Sequence, residues 1–256
     1  NGIPYGLFQF RINNTQLITQ RVDACRPIGR EWTHIAVVRD IENDQLRILV
    51  DGAYEGQTHT VQRPPLTTYG VFETTIGGGD LVGGAVQNGF RGCLDAVRVW
   101  SYARAGYALN TQRGDRFPEF TDTGFGLSAP LRVFNFDDGG TTAENSRYVQ
   151  DWLHNWQHAA DLQGDAAFQL SPWHPLSYDL DDDVVADNDE RLGNTSIYQS
   201  EWPYVMRALQ FPGGSDLRVD ERMDGVETAF YALRQYTLEC WVRPEAVPAG
   251  TATLIR

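Results

Sequence analysis

Apolar and polar residues alternate with a period of two along most of the chain. In YGLFQFRI, for example, Phe8, Phe10 and Ile12 fall on one face of an extended segment, and Gln9 and Arg11 fall on the other. This alternation, interrupted by 25 glycines and 12 prolines, predicts many short antiparallel strands. Further stretches with the same pattern are WTHIAVVRD, QLRILVDG, FETTIGGG, FRGCLDAVRVW, LRVFNFD, ALQF and YTLECWV.

Two of these stretches support more specific predictions. WTHIAVVRD is largely apolar on both faces, which is typical of a central strand covered on both sides. QLRILVDG places Leu46, Ile48 and Val50 on the inner face, before a turn at Asp51-Gly52. Helical periodicity is confined to YARAGYALNTQ and part of SRYVQDWLHNWQHAADL. The pattern therefore predicts an all-β sandwich with long loops and few short helices.

Charge and cysteine content narrow the function classes. The chain has 34 acidic and 21 basic side chains and a net charge of -13, so we expect it to bind neither nucleic acid nor anionic membrane surfaces. No apolar run is long enough to span a bilayer, so no membrane insertion is expected. The three cysteines have no C-x-x-C spacing, which argues against a zinc site and a disulfide framework. Cys240 is expected to be a buried thiol, and a bridge between Cys25 and Cys93 is left open.

Several motifs resemble one known domain family. EWTHIAVVRDIENDQLRILVDGAYEG, TIGGG and FRGCLDAVRVWSYARA resemble the second half of a laminin-G-like domain of the concanavalin A-like lectin/glucanase superfamily. LRVFNFDDGGTTAENS, ALQFPGGSDLRV and YTLECWVRPEA resemble the first half. The resemblance implies a jelly-roll β-sandwich. It also implies a C-terminal half at residues 1–113, a linker at 114–130 and an N-terminal half at 131–256, with an acidic insertion at 147–205.

The order of the two halves is the reverse of the order in the family. The final TATLIR would run directly into NGIPYGLFQF, so the two ends of the chain complement each other. Three arrangements are open: a circular permutant, separate copies that pair head to tail by strand addition, or one period of a tandem array. In the assembly, Phe8, Phe10 and Ile12 are expected to join the sheet begun by YTLECWV, and a contact of this kind that does not close makes a fibre.

The acidic insertion contains a candidate calcium loop, DLDDDVVADNDE. Its carboxylates occupy the spacing of a twelve-residue calcium loop, and it resembles the loops of thrombospondin type 3-like repeats. Val184 stands where such loops have glycine, and a β-branched residue is poorly suited to the sharp turn. Two interpretations of the loop are open. One is a calcium site, with ligands from Asp179, Asp181, Asp183, Asp187 and Glu190 and from the main-chain carbonyl of Val185, and the other is a solvated acidic loop.

No catalytic motif is complete. His154 and His158 have the i, i+4 spacing of zinc ligands, but Asn155 replaces the general-base glutamate of a metalloprotease. Glu42 and Asp44 resemble the start of the glucanase E-x-D-x-x-E motif, but the residue at its last position is Arg47. We therefore expect a protein that is not an enzyme.

Glycan binding is the alternative function. Aromatic side chains concentrated around the insertion could supply stacking platforms. Two N-x-S/T sequons, at Asn13 and Asn194, would matter only in a secreted glycoprotein. The preferred hypothesis is an extracellular or cell-surface structural or adhesive unit that assembles head to tail with copies of itself. The alternative is a lectin-like module of a larger secreted protein, with stacking residues Trp173, Tyr178, Tyr198 and Trp202.

Overall fold

The computed structural model describes the segments of the chain that build the sheets. These are residues 5–13, 19–27, 32–43, 45–58, 74–79, 81–82, 85–86, 88–111, 130, 132–134, 136, 148–151, 156–170, 207–219, 222–223, 226–227, 235–245 and 252–255.

Strands dominate these segments, and one short helix accompanies them. The predicted helix in YARAGYALNTQ is confirmed as α1 (Gly106–Thr111). The described strands are β1 (Tyr5–Asn13), β2 (Thr19–Pro27), β3 (Thr33–Asp40), β4 (Gln45–Val50), β5 (Ala53–Thr58), β6 (Thr74–Ile76), β7 (Leu81–Val82), β8 (Ala85–Val86), β9 (Arg91–Trp100), β10 (Arg132–Phe134), β11 (Tyr148–Asp151), β12 (Trp156–Gln163), β13 (Ala167–Leu170), β14 (Arg207–Pro212), β15 (Asp216–Val219), β16 (Arg222–Met223), β17 (Val226–Glu227) and β18 (Tyr236–Pro244).

Two antiparallel sheets contain most of these strands. The large sheet has the order β13-β14-β9-β18-β3-β4-β5, and β10 also pairs with β9. The smaller sheet has the order β11-β12-β15-β6. Three two-stranded hairpins, β1-β2, β7-β8 and β16-β17, complete the described strands.

The hydrophobic core lies between the two sheets. Leu46, Ile48 and Val50 of β4 belong to it, which confirms their predicted inward orientation. The smaller sheet contributes Leu162 of β12 and Leu217 of β15 to the same cluster. Because apolar side chains from two facing sheets share one core, the all-β sandwich predicted from the sequence is confirmed.

The strand order interleaves the two halves of the sequence. β18, from the second half, lies between β9 and β3 of the first half and pairs antiparallel with both. In the same way β14 pairs with β9, and β15 pairs with β6. Both predicted half-domains therefore contribute to both sheets.

The C-terminal residues also find partners within the chain. Thr253 forms an isolated bridge with Gly89, and Ile255 forms one with Ile76. β18 has a neighbour on each side, and β1 pairs with β2. The expected joint between β1 and β18 is therefore not formed within the chain.

One secondary-structure prediction is wrong. The stretch containing HNWQH was expected to be helical, but the described residues around it form β11 and β12. Ala160 and Leu162 are buried while Asp161 is exposed, which is the period of a strand, and β12 pairs with β15. The partner strand outweighs the weak local helical pattern.

The predicted insertion at 147–205 includes β11, β12 and β13, so its first part belongs to the sheets. The predicted linker at 114–130 lies outside the described residues apart from Pro130, which is buried.

Candidate functional site: a buried ionic cluster on the outer face of the large sheet

The outer face of the large sheet carries polar side chains along its three central strands. On β3, Ile35 and Val37 point into the core, so His34 lies on the opposite face with Ala36. On β18, Cys240 and Val242 belong to the core, which places Glu239 outside.

An irregularity in β9 brings two more residues to this face. The register between β18 and β9 shifts between Glu239 and Trp241, and Ala96 has a positive φ of 46°. The amide of Ala96 donates to Oδ1 of Asp95 at 2.7 Å. The extra residue of such a bulge resets the alternation, so that Arg98 and Trp100 follow on the outer face.

Glu239 is the centre of this face, and we call the residues around its carboxylate the Glu239 cluster. Oε1 accepts hydrogen bonds from Nε1 of Trp100 at 2.8 Å and from Nη1 of Arg104 at 3.0 Å. Nη1 of Arg98 lies 3.7 Å from the same oxygen. Nε2 of His34 lies 3.2 Å from Oε2, a close contact without hydrogen-bond geometry. Each of these side chains is at most 1% exposed.

Further contacts fix Arg104. Its guanidinium carbon lies 4.0 Å from the centroid of the Trp100 ring, a cation–π contact. Its amide donates to Oγ1 of Thr237 at 2.9 Å, and that hydroxyl donates to the carbonyl of Tyr102 at 2.9 Å. Because Thr237 and Glu239 belong to β18, these hydrogen bonds attach the segment between β9 and α1 to that strand.

Helix α1 covers a neighbouring part of the same face. Leu109 of α1 packs against Ala36, Val38 and Leu49, and all four are buried. This small apolar cluster lies beside the Glu239 cluster on the side of β3 and β4. The outer face is therefore interior to the protein in this region, which explains why the strand WTHIAVVRD is buried on both sides.

Electrostatics keep Glu239 ionised. Burial opposes ionisation, but the contact with His34 and the charges of Arg104 and Arg98 outweigh it and lower the pKa of Glu239 to about 2. A general acid in a glycosidase needs a raised pKa, so that it carries a proton near neutral pH. Glu239 has the opposite shift, which fits a structural charge and does not fit an acid catalyst.

A second set of polar contacts lies farther along β18, around Arg243. Nη2 of Arg243 donates to Sγ of Cys93 at 3.1 Å, and the guanidinium lies 5.3 Å from the centroid of the Trp32 ring. Burial raises the pKa of the Cys93 thiol. Cys93 and Cys240 are both buried thiols, so the bridge from Cys25 to Cys93 is not formed.

The predicted calcium ligands Asp179, Asp181, Asp183, Val185, Asp187 and Glu190 lie outside the described residues. The aromatic residues expected to stack against glycans, Trp173, Tyr178, Tyr198 and Trp202, also lie outside them, as does Asn194. The calcium and glycan sites stay predictions. In the part of the chain that the structure describes, no group of three or more His, Cys, Asp or Glu residues could hold a metal ion.

The two other candidate motifs have different geometry. His158 lies in β12, so it does not have the helical spacing of a zinc ligand pair, and His154 falls outside the described residues. Glu42 is exposed in the turn between β3 and β4. In the same turn the side-chain amide and main-chain N–H of Asn43 donate to Asp40, at 2.9 and 3.0 Å. Nη2 of Arg47 lies 3.4 Å from Oδ2 of Asp40, which accounts for an arginine at this position.

Among the described residues, no helix is long and apolar enough to cross a membrane.

Comparison with known proteins agrees with this architecture. Residues 5–106 match a laminin G family model whose description is the concanavalin A-like lectin/glucanases superfamily. No curated protein and no solved structure matches the chain. The first part of the chain is thus similar to that family, and the described residues form the kind of antiparallel sandwich that the family implies.

Proposed function

We propose that this chain is a non-enzymatic structural or adhesive unit of an extracellular or cell-surface protein, which assembles head to tail with copies of itself. Residues 131–256 of one copy would complete the sandwich begun by residues 1–113 of the next. The observation that carries the proposal is the position of β18 between β9 and β3, two strands from the other half of the sequence. Within this chain the two halves close one sandwich, and in an assembly the same pairing would be made between copies.

The contacts around β18 are extensive enough to hold two segments together. β18 pairs with β3 from Val242 to Tyr236, and with β9 from Pro244 to Thr237. Its inward residues belong to the core, and its outward Glu239 binds Trp100 and Arg104. None of these interactions requires β18 and β9 to belong to the same molecule.

Exchange of identical elements between protomers is a low-cost route to assembly, because it reuses contacts that already exist. If each copy gives residues 131–256 to one neighbour and accepts the same residues from the other neighbour, the contact is heterologous. Such a contact produces an open filament unless its rotation closes a ring. In a tandem array on one polypeptide, the same pairing would join successive repeats.

A non-enzymatic role is supported by the chemistry of the Glu239 cluster. Glu239 is buried and kept ionised by its neighbours, so it meets neither the access nor the pKa requirement of a glycosidase acid. The family similarity points the same way, since laminin-G-like domains are generally extracellular binding modules. Calcium bound by Asp179, Asp181, Asp183, Val185, Asp187 and Glu190 would be a structural ion in this role.

The second candidate is a glycan-binding module. It is favoured by the matched family, whose description names lectins together with glucanases, and by Trp32 and Trp241, which are partly exposed near Arg243. Partly exposed tryptophans next to a cation can stack on sugar rings.

Light scattering on purified protein over a hundredfold concentration range tests the first proposal against the second. Head-to-tail assembly predicts that the average mass rises with concentration without stopping at the dimer. A chain that stays monomeric throughout and binds a polysaccharide would overturn the assembly proposal and favour the glycan-binding one.

A further inference from the structure

Arg39 is a charged side chain on the core side of β3. Ile35 and Val37 of the same strand belong to the core, so the alternation of the strand directs Arg39 to the same face. The residue is only 4% exposed. This face of β3 is the core side of the large sheet, where an apolar side chain would be expected.

One edge of this guanidinium has no partner. Among the described residues, neither Nε nor Nη2 of Arg39 takes part in a hydrogen bond, and both atoms are buried. Arg104 differs in having its guanidinium bound to Glu239. Two buried N–H groups without an acceptor are costly, and burial lowers the pKa of Arg39.

The two atoms without partners are the ones that recognise an oxyanion. Nε and Nη2 form the side edge of the guanidinium, whose two parallel N–H groups match the two oxygens of a carboxylate. Arginine is preferred over lysine where such planar, two-point recognition is needed. The unused capacity of Arg39 is therefore geometrically specific.

The residues near Arg39 include one with a polar group and two that are apolar. Tyr236 on β18 lies directly opposite Arg39 in the strand register. Burial raises the pKa of Tyr236 to about 12, so its hydroxyl keeps its proton. Ile41 and Leu238 are partly buried apolar residues that pack against the edge of the core. Ile41 follows Arg39 by two residues, and Leu238 follows Tyr236 by two residues on β18, so both fall on the same face as Arg39.

We propose that Arg39 is the anchor of a binding site for an organic carboxylate, in which the Nε/Nη2 edge binds the two oxygens and the apolar part of the ligand lies against Ile41 and Leu238. The carboxylate has two possible sources: a small organic acid, or an aspartate or glutamate of another copy of this acidic chain. Both supply the same group to the same edge of the guanidinium. The site is separate from the Glu239 cluster, which lies on the other face of β3.

The test uses benzoate as the probe and compares the melting temperature in sodium benzoate with that in sodium chloride of equal ionic strength. A ligand that binds the native state raises the melting temperature by mass action. We expect benzoate to raise it for the wild-type chain and acetate, which lacks the apolar body, to raise it less. Arg39→Met should abolish both shifts. Arg91→Met is the matched control, since Arg91 is exposed and contacts the partly exposed Glu245, so this variant should keep the wild-type response.

The same variants distinguish a small organic acid from a carboxylate of another copy. If benzoate stabilises the wild type and Arg39→Met leaves self-association unchanged, the ligand is a small acid. If Arg39→Met also abolishes concentration-dependent association, the carboxylate comes from another copy. In either case, Arg39→Met without ligand should melt at or above the wild-type temperature, because it replaces a buried guanidinium with two unsatisfied nitrogens by an apolar side chain.

Two results would overturn the proposal. One is a marked fall in melting temperature for Arg39→Met without ligand, because Arg39 would then have a partner in the folded chain. The other is a benzoate response of the wild type that is absent or is retained by Arg39→Met, together with association that does not depend on Arg39.

Discussion

Trp100 and Glu239 are 139 residues apart in the sequence, yet Nε1 of Trp100 donates to Oε1 of Glu239 at 2.8 Å in the buried outer face of the large sheet. Trp100 ends β9 in the first half of the chain, and Glu239 lies in β18 in the second. The same oxygen accepts a hydrogen bond from Arg104. The two halves are thus joined by a buried charged hydrogen bond as well as by backbone pairing, and this junction is specific in geometry.

Glu239→Gln should destabilise the chain strongly. Glutamine has nearly the same shape, but it removes the negative charge that Arg98 and Arg104 contact inside the protein. Loss of one partner of a buried ion pair typically costs about 3–5 kcal/mol. Urea unfolding measures the change in the free energy of unfolding. Glu245→Gln is the control, because its pairing with Arg91 is largely exposed and should be worth no more than about 1 kcal/mol. Equal effects of the two changes would contradict a structural role for Glu239.

The stability of the wild type should fall in acid through the titration of Glu239. Folding lowers the pKa of this group from 4.5 to about 2, so the folded state binds its proton more weakly than the unfolded state does. The stabilisation is complete above the unfolded pKa, decreases as the pH falls below about 4.5, and is lost near pH 2. The ionisation of Glu239 should account for about 3 kcal/mol of the free energy of unfolding. Unfolding of the wild type and of Glu239→Gln from pH 7 to 2.5 should show the difference between them shrinking across this window. If the difference in the free energy of unfolding stayed constant over this range, a group other than Glu239 would be responsible for the acid sensitivity.

Gly77→Ala should destabilise the sandwich where β6 approaches β14. Gly77 has a φ of +81°, and a Cβ added there would overlap the ring of Phe211, which is fully buried. Strained backbone and overpacking together should cost about 1–3 kcal/mol. Gly214→Ala is the matched control, because nothing lies within 4 Å of its added Cβ. Thermal unfolding of both variants checks the prediction, and a Gly77→Ala variant as stable as Gly214→Ala would refute it.

The sequence pattern predicted the sandwich and its inner face, because those features depend on local alternation. Leu46, Ile48 and Val50 were predicted to point inward, and they do. The turn at Asp51-Gly52 was predicted from residue type, and both residues have positive φ. The helix in YARAGYALNTQ also follows from local periodicity. Each of these predictions uses information within a few residues of the feature.

The Glu239 cluster could not be predicted in the same way. A glutamate at an alternate position of YTLECWV is typical of a solvent-facing residue, and only the tertiary structure covers it. The bulge at Ala96 is another obstacle, since a positive φ at a non-glycine residue has no sequence signal here and it decides which face carries Arg98. The prediction of a helix around β12 was wrong for a similar reason, because the pairing with β15 is a contact between distant segments. A signal was available in WTHIAVVRD, which is apolar on both faces and indicates a covered outer surface.

Calcium binding by the acidic loop stays a prediction with a direct test. Calorimetric titration of the chain with calcium chloride should show one site of millimolar or better affinity, and Glu190→Gln should remove it, since a terminal glutamate closes such a loop. Val184→Gly should strengthen binding, because glycine permits the sharp turn at this position. Glu42→Gln is the control, as Glu42 is exposed in a turn outside the loop. Absence of binding at millimolar calcium would remove the site.

The central claim, that β18 completes the sandwich of a neighbouring copy, is tested most directly by a disulfide across the β3–β18 pair. Cys240 lies directly opposite Ile35 in the register, and both side chains face the core. Opposed residues of antiparallel strands are close enough for a disulfide, so Ile35→Cys should crosslink to Cys240 in a background of Cys25→Ser and Cys93→Ala.

Val37→Cys in the same background is the control, because Leu238 is its partner and offers no thiol. After oxidation at low and high protein concentration, non-reducing denaturing electrophoresis separates crosslinks within a chain from crosslinks between chains. Head-to-tail assembly predicts a ladder of linked chains for Ile35→Cys that grows with concentration and is absent for Val37→Cys. Crosslinked single chains alone, at every concentration, would contradict the claim.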